Sequence, residues 1–266
     1  MPNHSDSRYS LLAADEPAPV ELLRAAGGSP LFFTCEHAGR ALPARVGDLG
    51  LSALDLERHI AWDIGAAGVT RGLSERLDAT AVLQRYSRLV VDCNRAPSAH
   101  DFIAVHSETT AIHANRDLDP AEVAARTREI FTPYHDAIRT ALDARESAGQ
   151  PTVLVAVHSC TPVYHGVWRP WHVGVLYDLD DRFARIVLDL LSEHGELTVG
   201  ENEPYELTHE RDYSVPLHGE QRGIPHVELE IRQDLIESRD GQDEWAERLA
   251  VVLSEGVDRL RALHGL

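Results

Sequence analysis

Cysteine is scarce in this 266-residue chain. Its three residues, Cys35, Cys93 and Cys160, are odd in number and scattered, which excludes a disulfide framework. Long apolar runs are missing too: none approaches the roughly 20 residues needed to cross a bilayer. The N-terminal MPNHSDSRYSLLAADEPAP lacks an apolar core flanked by positive charge, so it does not read as a signal peptide. Basic charge is in short supply, with 25 basic residues against 43 acidic and a formal charge of −18. Phosphate backbones and anionic membranes both require basic surface, so no nucleic-acid partner and no membrane partner is expected. No internal repeat and no low-complexity linker divides the chain. The composition implies a cytoplasmic protein, a monomer or small homo-oligomer kept soluble by its acidity. An anionic ligand would have to be captured by local arginines against the overall field.

What is present is a chain of 29.4 kDa, enough for one large domain with a well-buried core. Residues 1–28, rich in Ala, Pro and small polar residues, read as a partly flexible arm, and 29–266 as a single domain. Continuous apolar runs predict strands at 31–35, 81–83, 89–91, 152–157, 173–177, 197–199 and 225–231. Helical patterns begin at Ser52 and near Asp63. Further helices cover 120–147, where Ile130, Tyr134, Ile138 and Leu142 repeat every four residues, and 180–194. A last helix presents Trp245, Leu249, Val252, Leu253 and Leu260 on one face. Strands alternating with helices predict an α/β fold in three layers, with a mixed, mostly parallel sheet covered on both faces. Two long polar segments, 94–118 and 200–214, are of a length that is usually functional or mobile.

Polar residues gather where the apolar runs end, and in open α/β sheets ligands collect beyond the carboxyl ends of the strands. His37 follows LFFTC-Glu36 and precedes the small Ala38-Gly39. His158 follows TVLVAV. Asp63 opens a helix in HIAWDIGAAG, where it serves equally as an N-cap; Glu36 competes with it as the carboxylate ligand. In PHVELEIRQD, strand alternation puts His226, Glu228 and Glu230 on one face, opposite Val227, Leu229 and Ile231. Two carboxylates on a buried strand are costly unless paired or functional. Two imidazoles, a carboxylate ligand and a further free carboxylate make a hydrolytic zinc site, so His37, Asp63 and His158 are the expected Zn²⁺ ligands. Glu230 is the expected general base, with Glu228 beside it. Asn94-Arg95 forms a carboxylate clamp, since the planar guanidinium fork takes both oxygens. Arg232, Arg169, Arg85, Arg88 and Arg116 are further candidates for anion binding. Each cysteine neighbours one of these motifs, which keeps a Cys–His–Glu thiol amidase in play as a rival. A non-catalytic binding protein is the second rival.

The segments TCEHAG, ERHIAWDIGAAGV, RYSRLVVDCNR, VHSCTPV, RPWHVGVL, GENEPY and PHVELEIRQDLI, in that order over about residues 30–250, resemble the N-formylglutamate amidohydrolase family in its less characterised branch. The resemblance implies a zinc-exopeptidase-like fold and a metal-dependent hydrolase. The substrate would be a small anionic N-acyl amino acid such as N-formylglutamate, cleaved at its linear amide. It places metal ligands on His37 and His158 with an acidic ligand between them, a substrate-carboxylate pair at Asn94-Arg95, and the late catalytic glutamate at Glu230. The chain departs from the exopeptidase His-x-x-Glu pattern, because Arg40 stands where the glutamate would be. There it would extend the anion-binding site.

Overall fold

In the computed structural model, which describes residues 9–193 and 195–265, alternating faces of one seven-stranded sheet are buried against helices on both sides. In chain order the strands are β1 (Val20–Leu23), β2 (Leu31–Cys35), β3 (Thr80–Gln84), the hairpin β4 (His106–Ser107) and β5 (Thr110–Ala111), β6 (Val153–Cys160), the hairpin β7 (Val163–Tyr164) and β8 (Val167–Trp168), β9 (Val173–Leu176), β10 (Val199–Glu201) and β11 (His226–Arg232). The helices are α1 (Ala53–Glu57), α2 (Ala66–Leu77), α3 (Pro120–Arg126), α4 (Thr132–Ser147), α5 (Arg182–Glu193), α6 (Ser214–His218) and α7 (Arg239–His264). The sheet order is β1-β3-β2-β6-β11-β9-β10. The four central strands run parallel, while β1 and the β9–β10 pair oppose them. This is the expected three-layer, mixed and mostly parallel α/β architecture.

Strand alternation sorts the core. Phe33, Val155, Val157, Val227, Leu229 and Ile231 face α2, α5 and α7 in the larger apolar cluster. Phe32, Val82 and Leu154 face the other way, onto Phe131, Tyr134, Ile138 and Leu142 of the α3–α4 layer. Burying each such side chain contributes about 1.5–3 kcal/mol, which offsets the cost of polar groups elsewhere in the same layer. Those polar groups lie on the α4 side, further along the same strand faces: Thr34, His158, Glu228 and Glu230.

Several expected elements shift. Val20–Leu23, within the stretch read as an arm, forms an edge strand antiparallel to β3, and Met1–Arg8 lie outside the described residues. Leu89–Val91 is no strand: its side chains are buried, but the backbone turns, and Ser87 and Asn115 side chains hold it. A continuous apolar run cannot distinguish a buried strand from a buried turn. β6 extends through Cys160, so His158 stands inside the strand, not beyond it. The short strand expected at 197–199 is β10, Val199–Glu201. The helix expected at 180–194 is α5, and position 194 lies outside the described residues. The 94–118 segment is ordered by Asn115, whose amide donates to Leu89 O and Ala104 O, and by buried Arg126, which donates to Asn115 Oδ1 and Val90 O.

Gly65 connects the Asp63 turn to α2 with φ of 83°, and a Cβ there would come 2.1 Å from Ile236 O. Gly65→Ala therefore combines a left-handed backbone with a clash. It should lower unfolding free energy by about 1–3 kcal/mol. An unchanged urea midpoint would show that this turn relaxes freely.

Candidate active site

Parallel pairing sets β2, β6 and β11 side by side with their carboxyl ends level, and the register puts Glu230 directly across from His158. Backbone bonding from Asp63 N to His37 O draws the turn before α2 onto the end of β2. His37, Asp63 and His158 thereby converge, and one donor atom from each lies within 4.8 Å of the others. Asp63 Oδ2 is 2.8 Å from His158 Nδ1 and 3.4 Å from His37 Nδ1. The two imidazole rings stand edge to face, 4.9 Å apart. All three residues are buried, and His37 Nδ1 has no hydrogen-bond partner.

The outer nitrogens are held by other carboxylates. His37 Nε2 lies 2.8 Å from Asp92 Oδ1, and Asp92 is gripped through its other oxygen by the Arg88 guanidinium at 2.6 and 2.9 Å. His158 Nε2 is 3.0 Å from Glu36 Oε2, whose other oxygen accepts from the Tyr134 hydroxyl at 3.1 Å. The Asp92 carboxylate behind His37 fixes the tautomer that turns its Nδ1 towards the shared centre, the usual supporting arrangement of a metal-binding imidazole, whereas His158 Nε2 and Glu36 Oε2 approach without an aligned hydrogen bond. The donor set of two nitrogens and one oxygen, with an unpartnered buried Nδ1, fits zinc.

Charge balance points the same way. Of five buried carboxylates (Glu36, Asp63, Asp92, Glu228 and Glu230), Asp63 and Asp92 lie within ion-pair distance of Arg88, and among the described residues no other arginine comes that close to any of the five. Burial pushes Glu36 up, but His158 more than reverses this and its carboxyl sits at about 2. Burial likewise opposes ionisation of Asp63 and Asp92. His37 and His158 nevertheless hold Asp63 low, while Arg88 and His37 hold Asp92 low. Burial disfavours a charged His158, yet Glu228, Asp63 and Glu36 drive it well above its ordinary value. The pocket stabilises positive charge where the three donors meet. Glu228 and Glu230 lie beside this point, each with an oxygen lacking any hydrogen-bond partner. Burial, added to by neighbouring acids, pushes Glu228 well up, and Glu230 to about 7 against the opposing charge of His158.

The cleft over these groups has a volume of about 300 Å³, at the small end of small-molecule sites. Asn94, Arg95, Glu228 and Glu230 line it with the histidines, as do Tyr205 and Asp212. Arg95 is already engaged, by Asp101 at 2.9 Å and Asp212 at 3.5 Å. Asn94 Oδ1 accepts from the Tyr213 and Ser214 amides, and its Nδ2 donates to Asp212. Burial raises Asp212 despite Arg95, leaving it a weakly held partner.

Three expected anion binders are elsewhere. Arg40 is half exposed, pairs with Glu57 at 3.4 Å and lies over Trp62, because the turn after β2 carries it outward. Arg232 is spent on Asp234, on the Arg169 and Pro170 carbonyls and on the Trp168 ring. Arg169 is stacked between Tyr164 and Tyr205 and donates to the Tyr205 hydroxyl, reaching the cleft only through it. Gly39 serves the fold and not ligand approach: a Cβ there would fall 2.0 Å from Arg85 O. All three cysteines are buried, and burial drives each thiol upward, opposite to what a thiolate nucleophile needs. Sequence reading missed the contacts of Asp92, Tyr134 and Tyr205 and weighed Glu36 only as a ligand; Asp92 and Tyr205 were signalled by their places in the DCNR and GENEPY segments, Tyr134 by nothing but its helical period. The chain contains no lysine, so every permanent side-chain cation available to the site is a guanidinium.

The N-formylglutamate amidohydrolase family profile matches residues 29–237, and the chain belongs to that family, whose members act on amide bonds. Among solved structures, gene product Atu2144 from Agrobacterium tumefaciens is 39% identical with a TM-score of 0.91, over 94% of this chain and 99% of that one. The N-formylglutamate amidohydrolase from Ralstonia eutropha JMP134 shares the fold at 19% identity and a TM-score of 0.66, over 92% of this chain and 99% of that one. No curated protein matches.

The Asp92 carboxylate should matter to metal affinity without touching the metal. Asp92→Asn should weaken Zn²⁺ binding about 10–100-fold while leaving the far-ultraviolet circular dichroism unchanged. Equal dissociation constants in competition with a chelating dye would show that His37 does not need that partner.

Proposed function

We propose that the protein is a zinc-dependent amidohydrolase that cleaves the linear amide of a small N-acyl, preferentially N-formyl, amino acid such as N-formylglutamate. The observation that carries this reading is the convergence of His37, Asp63 and His158 beside two unpartnered buried glutamates. His37 Nδ1, Asp63 Oδ2 and His158 Nδ1 would hold the ion. When bound, it supplies a Lewis acid that polarises the amide carbonyl and lowers the pKa of water towards about 7.

The remaining work falls to side chains. Glu230 takes the proton of the attacking water and returns it to the leaving amine; a carboxyl near 7 suits both directions of transfer. Glu228, raised further, stays protonated beside it and limits the negative charge on the strand. Tyr205 accepts from Arg169, so its own hydrogen is free to donate to the developing oxyanion, and burial holds the phenol at about 12, fully protonated. Arg95 and the Asn94 amide receive the substrate carboxylate, which replaces Asp212. A monomer or small homo-oligomer in the cytoplasm remains the expected setting.

Zinc analysis of the purified protein, with a screen of N-formyl and N-acetyl amino acids, tests the reading. Chelation should abolish hydrolysis and His158→Ala should lose the ion; zinc retained at full occupancy in that variant would mean a different ligand set.

Glu230→Gln should keep the ion and lower kcat by roughly 10²–10⁴. Since the base works ionised, kcat/KM in the wild type should climb about tenfold per pH unit below the Glu230 pKa and level off above it. Its upper bound is about 7, and a bound cation moves the limb lower. Survival of the same limb in Glu230→Gln would assign the base elsewhere, with Glu228 first in line.

Arg95→Ala should reduce kcat/KM for free-acid substrates and spare their methyl esters, with Arg95→Lys rescuing only in part. Equal losses on acid and ester would make Arg95 a purely structural partner of Asp101 and Asp212.

A further inference from the structure

Outside the residues that line the cleft, a second set of ligand-type side chains meets. Asp178 follows β9, His209 lies between β10 and α6, and Glu220 opens the single turn Glu220–Arg222 leading to β11. One donor atom from each falls within 4.8 Å of the others. The Glu220 side chain is only 5% exposed. Its Oε1 accepts from Leu179 N at 2.8 Å. Its Oε2 lies against His209 Nε2 yet forms no aligned hydrogen bond. Asp178 Oδ2 stands 3.8 Å from the same nitrogen.

A separate observation lies behind Glu220. The His226 ring is fully buried, with Nδ1 2.9 Å from Ile224 O, so Nδ1 carries the hydrogen and donates it. Nε2 is left as a lone pair with no hydrogen-bond partner, 3.7 Å from Glu220 Oε1. An imidazole tied to a carbonyl through one nitrogen and free at the other is preset as a metal ligand. Among the described residues no arginine pairs with Glu220 or Asp178, and a buried carboxylate without a cation is costly.

We infer that Asp178, His209 and Glu220 form a second site for a divalent transition-metal ion, with His226 as a buried donor in reserve. Imidazole with carboxylates favours zinc over magnesium or calcium. The segment that carries His209 also supplies Tyr205, Glu206, Arg211 and Asp212 to the wall of the catalytic cleft. An ion at His209 ties this segment to the end of β9 and the start of β11, so its occupancy sets how firmly the cleft wall is held.

The test uses Zn²⁺ itself, with stoichiometry by atomic absorption and tryptic cleavage after Arg211 as the local readout. The wild type should bind about two equivalents per chain. His209→Ala, at an exposed position, and Asp178→Asn should each bind one fewer. Zinc protection of the Arg211 bond should fall about tenfold or more in both. His158→Ala separates the two sites: it loses the catalytic equivalent and keeps the protection at Arg211. A single wild-type equivalent that His158→Ala abolishes, or undiminished zinc and protection in His209→Ala, would overturn the second site.

Discussion

The Asp63 carboxylate, shared between His158 and His37, is the interaction on which the rest of the site depends. It requires the turn before α2 to be pressed against the ends of β2 and β6, and the Asp63 N to His37 O bond and the left-handed Gly65 provide that closure. A carboxylate buried between imidazoles is stable only when the imidazoles are oriented and the surplus negative charge is answered. Arg88 answers charge on one side through Asp92, and on the other the Tyr134 hydroxyl donates to Glu36, the carboxylate beside His158. The helical layer that carries Tyr134 is therefore part of the site's electrostatics as well as of its packing.

The sheet keeps two environments apart on its two faces. One is mostly apolar and packs α2, α5 and α7. The other begins apolar against α4 and turns polar towards the carboxyl ends of the strands. The apolar face provides the stability that lets five carboxylates remain buried on the other. Glu228 and Glu230 sit on β11 with backbone on both sides, a rigid support, as the proposed proton transfer requires.

The arginines show how a chain of charge −18 manages its cations. Arg88, Arg126, Arg145, Arg169 and Arg232 are spent on buried oxygens and rings; of the expected anion binders Arg88 and Arg95 reach the cleft wall, and Arg88 is taken by Asp92. Its partners Asp101 and Asp212 keep it oriented, and Asp212, whose carboxyl is raised by burial, is the more weakly held of the two at 3.5 Å.

The sequence alone determined the strands that carry the chemistry and the sidedness of β11. Continuous apolar runs mark buried strands, and a two-residue period puts Glu228 and Glu230 opposite Val227, Leu229 and Ile231 whatever the fold. It also brought forward His37, Asp63 and His158, because polar residues ending apolar runs are expensive without a use. Tertiary structure decided what periodicity cannot encode. The apolar 89–91 run became a turn because Ser87 and Asn115 satisfied its backbone locally. Glu36 came to lie 3.0 Å from His158 Nε2, on the side away from Asp63, because β2 ends at Cys35 and the chain turns there. Arg40 and Arg232 left the site because a side chain that reaches several ångströms chooses its partner by what packs around it. Strand registers across the sheet, set by long-range pairing, fixed which of many His, Asp and Glu residues met.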